Sequence, residues 1–276
     1  MTHSKLNFLR DIRIGMLVIM LSLLLTGVWI KDFSIHSAQI LLTFASGLAT
    51  QALWCCRARI PLSSLLSAAV TCTGLALLLR SDSLWVHPLV AALAISSKFL
   101  IQWHGKHIFN PANLGVIVAL IFLPGAWSSP GLWGHEIIWA AWLVAVGSFL
   151  ARNARRIDIS WAFLAVYLGL IETRVAWLGQ RPAVWFHQFD NGALLLFAFF
   201  MISDPRTSPN HRAARCLHAV LVAVFAFYWQ FGLWRQNSLL WALFFSAPLV
   251  PVWDLIWPDE PFQWRNAAFW RPQVQL

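Results

Sequence analysis

Two short polar stretches interrupt an otherwise apolar chain. One is "HGKHIFNPANLG" (104–115), which carries Lys106, Asn110 and Asn113; the other is "MISDPRTSPNHR" (201–212), which carries Ser203 and Asp204. Pro111 lacks an N–H and tends to begin a helix, with Asn110 well placed as its N-cap. The helix that follows directs free N–H groups and its positive dipole end toward whatever precedes it. Asn113 lies three residues beyond Asn110, so both amides fall on one side of the first turn. They offer donors and acceptors without net charge, which suits a heterocycle edge, a polar solute or a partly dehydrated ion. An amide left unsatisfied in hydrocarbon costs several kcal/mol, so these groups need partners. The plainer alternative is that Asn110 only caps a helix and Asn113 bonds a neighbouring backbone.

The second stretch has the same grammar. Asp204 follows "GALLLFAFFMI" with no counter-charge before it. An acid at the end of a buried apolar helix is a functional candidate once its partner is found. Arg206 and Lys106 are candidate partners. Lys98, inside "AISSKFLIQW", either pairs with Asp204 or extends its ammonium toward the membrane surface. The alternative is an ordinary turn between helices with Asp204 as N-cap. No dinucleotide fingerprint, phosphate loop, nucleophile elbow or zinc-protease motif occurs. His211 and His218 lack a third ligand, so no metal site is expected.

The elements that hold these stretches are helices in lipid. Of 276 residues, 59% are hydrophobic and 11% charged, against about 25% charged in soluble domains. That leaves too little polar surface to cover a water-soluble globule. Apolar runs near 14–30, 37–55, 64–79, 86–103, 112–127, 134–151, 157–172, 190–203, 212–234 and 238–257 predict about ten transmembrane helices. The basic start before the first run resembles a signal peptide, but no small-x-small cleavage site follows, so a retained first helix is expected. With the N-terminus inside, 14 lysines and arginines fall in inner loops and 5 in outer ones, with Lys98 inside a span. Tryptophans cluster near predicted span ends, where indole rings favour the headgroup zone. The reading is an all-α integral membrane protein, one polytopic domain over 1–276, with both termini cytoplasmic. Ten spans permit two inverted five-helix repeats. The net charge of +9 reflects that sidedness, and no nucleic-acid partner is expected. Cys55, Cys56, Cys72 and Cys216 have apolar neighbours and read as small core residues.

"SSKFLIQWHGKHIFNPANLG" and, about ninety residues later, "NGALLLFAFFMISDPRTSP" resemble the NqrB/RnfD family. These are membrane subunits of the sodium-pumping NADH:quinone oxidoreductase and of the Rnf electron-transport complexes. The similarity runs roughly over 60–255, and is greatest to short stand-alone members such as those that accompany enediyne gene clusters. The resemblance implies a urea-transporter-like fold in the bacterial cytoplasmic (inner) membrane. It implies non-covalently held riboflavin or FMN, electron relay with coupling to ion transport, and redox partner subunits. By carry-over, Asn110, Asn113 and Asp204 become flavin-site residues, with Lys106 and Ser203 beside them. The full complexes carry a Ser-Gly-Ala-Thr motif whose threonine bears FMN. The matching stretch here, "ETRVAWLGQRPAVWFHQFDNGALLLF", lacks it, so covalent FMN is not expected. The chain has no NADH or iron–sulfur motif and would not complete a catalytic cycle alone. Two other readings stand beside this one: a urea-channel-like solute or ion transporter without redox activity, and a scaffold that keeps the fold.

Overall fold

Helices form where the apolar runs lie, and most end at the polar turns between them. A computed structural model describes residues 12–29, 36–128, 137–189 and 192–262. Of the lysines and arginines counted above, Lys5, Arg10, Lys31, Arg265 and Arg271 lie outside the described residues, as do Trp133 and Trp264 among the tryptophans near span ends. The helices are α1 (Ile12–Trp29), α2 (Ser37–Ala58), α3 (Leu65–Leu78), α4 (Val86–Leu100), α5 (Pro111–Phe122) and α6 (Ile137–Asn153). They continue with α7 (Ile157–Trp177), α8 (Ala183–Phe189), α9 (Gly192–Leu196), α10 (Arg212–Phe227), α11 (Ser238–Ser246) and α12 (Leu249–Ile256). Wider π-helical turns extend α9 over Phe197–Met201 and α10 over Tyr228–Gly232.

Among the described residues three helices are long and apolar enough to cross a membrane: 37–58, 157–177 and 212–232. The pair α11 and α12, bent by 49°, makes a fourth if it counts as one span. Several others are apolar but shorter, including α4, α5 and the segment 192–201. The predicted spans 86–103 and 112–127 were too long, because α4 stops at Leu100 and α5 at Phe122.

Short strands take up the chain at these helix ends. β1 (Leu79–Ser81) pairs antiparallel with β4 (Ala126–Ser128), so the exits of α3 and α5 satisfy each other's backbone groups. β2 (Gln102–Trp103) and β3 (Lys106–His107) form a small hairpin between α4 and α5. The bundle is therefore helical with two minute ladders. Arg80, expected in an outer loop, is instead buried, and its guanidinium donates to the carbonyls of Ala76, Leu77 and Leu79 at the end of α3. The cysteines divide: Cys55 and Cys72 are buried, Cys216 is intermediate, and Cys56 is exposed, contrary to its expected place in the core.

In lipid the close fit of small residues holds helices together, since the apolar solvent offers no hydrophobic drive between them. Ala219, Val222, Ala223 and Ala226 make a fully buried stripe on α10, the helix that packs on α7. α5 is seated the same way: a Cβ at Gly115 would stand 3.0 Å from Val90 and 3.1 Å from both Ala94 and Leu75. Any larger residue there would make these side chains give by a few tenths of an ångström, so the glycine lets the helix that begins at Pro111 sit close to α3 and α4.

Candidate functional site

Asn110 sits at the N-cap of α5, where its Oδ1 accepts from the backbone N–H of Asn113 at 3.2 Å. Pro111 at the first helical position needs no partner for an N–H it lacks. The capping expected from sequence is therefore present, and it uses only half of the amide. The other half, Nδ2, donates to Asp204 Oδ2 at 3.4 Å, long for a hydrogen bond. Asn110 and Asp204 thus face each other across 94 residues of sequence.

Asp204 is held by its own turn. The backbone N–H of Arg206 donates to its Oδ1 at 3.0 Å, and the Thr207 hydroxyl also bonds the carboxylate. Burial nevertheless pushes the carboxyl above its ordinary value, and these hydrogen bonds only partly offset that. The expected ion pairs take other directions. The Arg206 guanidinium donates to the carbonyl of Gly105 at 2.8 Å. Lys106 pairs with Asp254 at 2.6 Å and donates to Asn210 Oδ1 at 3.2 Å. Lys98 is 5% exposed; its ammonium stays inside and donates to Ser67, to the carbonyl at 3.0 Å and the hydroxyl at 3.3 Å.

Between these groups runs a cavity with about 860 Å³ of empty space, its mouth included. Asn110, Asp204, Lys98, His107, Arg206 and Ser67 supply polar lining, and Met16, Met20, Val70 and Phe200 apolar walls. It follows α3 from Ser67 to Leu78, about 16 Å at the helical rise. His107 is neutral in the fold: burial, with the nearby charges of Arg206 and Lys98 adding to it, pushes its imidazole down to about 3.

The candidate residues divide. Asn110 and Asp204 line the cavity. Asn113, only 1% exposed, donates through Nδ2 to the carbonyl of Leu240 on α11 at 3.1 Å, and its Oδ1 is buried without a partner; it is not among the lining residues. Ser203 donates its hydroxyl back to the carbonyl of Phe199 and is occupied in that turn. Lys106 belongs to a clamp beside the cavity. In that clamp Asp254 also accepts from the backbone N–H of Asn210 at 2.7 Å, which ties the 102–107 hairpin to the 203–211 loop. Burial lowers the Lys106 ammonium even with Asp254 beside it.

Sequence reasoning did not single out Asp254, Ser67 or His107. Asp254 carries a signal in hindsight, as an acid inside the apolar run "PLVPVWDLIW". Ser67 and its neighbour Thr71 carry none, because hydroxyls are common in membrane helices, where they back-bond; Thr71 does so to Ser67.

A second cavity, with about 1340 Å³ of empty space, its mouth included, adjoins the first at the Leu78 end of α3. Leu78, Leu196 and Met201 line both cavities, which stand back to back across these side chains.

Residues 128–262 match the model of the NQR2, RnfD, RnfE family. The match supports membership of the NqrB/RnfD type. It takes in α6–α12 and the Asp204 loop, and stops short of Asn110 on its N-terminal side. No curated protein matches the chain.

Proposed function

We propose, from membership of the NQR2, RnfD, RnfE family, that this multi-pass membrane protein is the membrane subunit of an Nqr/Rnf-type electron-transport complex and holds a flavin non-covalently in the Asn110–Asp204 cavity. The observation that carries the flavin reading is the meeting of Asn110 and Asp204, from two separate motifs, in one cavity with both polar and apolar walls. A bound flavin supplies one- and two-electron redox chemistry. Its isoalloxazine edge alternates carbonyls with N–H, and the donor set fits that pattern: Asp204 accepts, while Asn110, Lys98 and Arg206 donate. The Asn110–Asp204 contact is long enough to be exchanged for bonds to a ligand without leaving either group buried and unpaired. The cations of Lys98 and Arg206 favour the more electron-rich, negatively charged form of whatever the cavity holds.

The complete proposal is one polytopic domain of about ten spans with a urea-transporter-like inverted repeat and cytoplasmic termini. It works in the bacterial inner membrane with redox partner subunits and couples electron relay to ion movement. Riboflavin or FMN is the ligand class, without covalent attachment.

The test is an absorbance and fluorescence spectrum of the purified protein before and after acid precipitation. Flavin in the supernatant is the expected result, with its loss in Asp204→Ala protein that still inserts and elutes as wild type. A colourless, well-folded wild type would overturn the cofactor reading; colour kept by the pellet would overturn non-covalent attachment. The two cavities meeting at Leu78, Leu196 and Met201 favour a second reading, transport of a solute or ion without redox chemistry. For that reading, flux into liposomes by colourless protein is the measurement.

A further inference from the structure

The second cavity contains a polar arrangement that the flavin reading does not use. Gln230, on the π-helical turn after α10, accepts through Oε1 from Tyr167 Oη at 2.7 Å and from Ser238 Oγ at 3.1 Å. Two donors use both lone pairs of that oxygen and fix the amide plane. All three residues line the cavity, and the Gln230 amide nitrogen bonds no described residue. A neutral donor is therefore held in place by two hydroxyls on helices, with its own N–H groups unspent.

Two further features constrain what would bind there. Arg235 lines the same cavity, is exposed, and makes no ion pair among the described residues. The remaining wall is mostly apolar, with Leu194, Leu196, Leu239 and Leu240 beside the rings of Phe197 and Trp234, and Ser128, Gln236 and Asn237 add polar groups. The site thus offers a cation at an exposed rim, a hydrogen-bond donor at a partly buried position, and a greasy lining. A chain molecule with one charged head and one carbonyl wants what this wall supplies.

We propose that this cavity is a binding site for an anionic ester-linked phospholipid: the phosphate at Arg235, an ester carbonyl on the Gln230 amide, and an acyl chain along the leucines. Lipid is available to a cavity in a membrane bundle, and a single arginine near the surface favours anionic over zwitterionic lipid. The Tyr167–Gln230–Ser238 arrangement is then a carbonyl-positioning device. Tyr167 and Ser238 act through Gln230 without touching the ligand.

Native mass spectrometry from a non-ionic detergent tests this with three probes: phosphatidylglycerol, phosphatidylcholine, and the ether-linked analogue of phosphatidylglycerol that lacks the carbonyls. Wild type is expected to retain one phosphatidylglycerol about tenfold more tightly than phosphatidylcholine, as for one charge-assisted contact. The ether analogue should bind about threefold more weakly than the ester, as for one neutral hydrogen bond. Arg235→Gln, at an exposed position, should erase the head-group preference and keep the ester–ether difference. Gln230→Leu should do the reverse. Equal binding of all three probes by wild type would overturn the proposal, as would preferences that survive both substitutions. Flavin retained by wild type and lost from Gln230→Leu would assign the cavity to a chromophore instead.

Discussion

The two cavities share a wall and differ in how their polar groups are held. On the Asp204 side the groups come largely from irregular chain, the β2–β3 hairpin and the 203–211 loop, and ionic contacts hold that chain in place. On the Gln230 side they come from helices and the turns that end them, held by neutral hydroxyl–amide bonds. Charges on loops need a lock, because each is costly to bury alone and the backbone around it has no regular ladder. Hydroxyls on packed helices need none, since the backbone that carries them is already satisfied. The first cavity should therefore respond to substitutions far from its walls and to pH, and the second to neither.

Removing the lock is the severest way to test this. Asp254→Ala leaves the Lys106 ammonium mostly buried and unpaired and deprives the Asn210 N–H of its acceptor. Breaking such a pair costs about 3 kcal/mol, so the thermal midpoint in detergent should drop clearly. Asn110 and Asp204 should separate with it, while lipid preference at the Gln230 cavity stays at the wild-type ratio. An unchanged midpoint would mean that the clamp contributes nothing and that the loops are held by something else.

Acid separates the cavities next. His107 is neutral in the fold, with its imidazole pushed from 6.5 to about 3, so the unfolded chain takes up a proton first as pH falls. Its contribution is complete above about 6.5 and is lost progressively down to about 3. Asp204 has the opposite sign: its raised carboxyl takes a proton more readily in the fold, so it loses stability as pH rises above the ordinary 3.8. Between pH 4 and 6.5 the two act in opposite directions, and the histidine's share, roughly 2 kcal/mol once partial exposure is allowed for, is read by comparison with a variant that lacks it. On acidification across that window the unfolding midpoint of His107→Gln should rise relative to that of wild type, because only wild type loses the histidine's contribution. Equal slopes in both proteins would place the acid-sensitive group elsewhere.

The difference in how the groups are held also decides what could be read from sequence. Asn110, Pro111, Ser203, Asp204 and Pro205 stand out because loops inside lipid must announce themselves with prolines and polar side chains. Their meeting across 94 residues followed from the paired motifs. Asn113 looked equivalent to Asn110 by spacing, yet its amide turns to Leu240, because the first turn of α5 presents one face to the cavity and the next to α11. Lys106 and Arg206 looked like partners for Asp204 because charge alone does not choose among acids. Asp254 and the Gly105 carbonyl claim them through loop geometry that no local pattern encodes. Tyr167, Gln230 and Ser238 were illegible: single polar residues in apolar runs are common, and only tertiary packing shows that three of them converge. Helix positions followed the apolar runs, and the errors lay at exits such as Leu100 and Phe122, where short strands replace the last turn.

Tyr167→Phe probes the quieter cavity. It keeps the ring and removes the hydroxyl's bond to Gln230 together with its interaction with Ser238, a loss of about 1 kcal/mol. The informative readout is the ester–ether preference, which should shrink as the amide loses one of its two anchors, while the head-group preference set by Arg235 persists. If both preferences fell together, Tyr167 would be shaping the whole cavity rather than orienting the amide.

The smallest expected stability change carries the sharpest distinction at the first cavity. Asn110→Ser keeps an oxygen that can cap α5, since serine is about as good an N-cap as asparagine, so the thermal midpoint should move by no more than about 0.5 kcal/mol equivalent. It deletes the Nδ2 group that reaches Asp204. If Asn110 only caps the helix, the variant behaves as wild type in every assay. If its amide belongs to the ligand site, the variant folds as wild type yet loses flavin on gel filtration, and Asp204, deprived of a donor in a buried place, holds its proton to higher pH. A carbonyl-stretch infrared titration of Asp204, taken as the difference from Asp204→Ala, reads that last change directly, and an unshifted band would return Asn110 to the role of a cap.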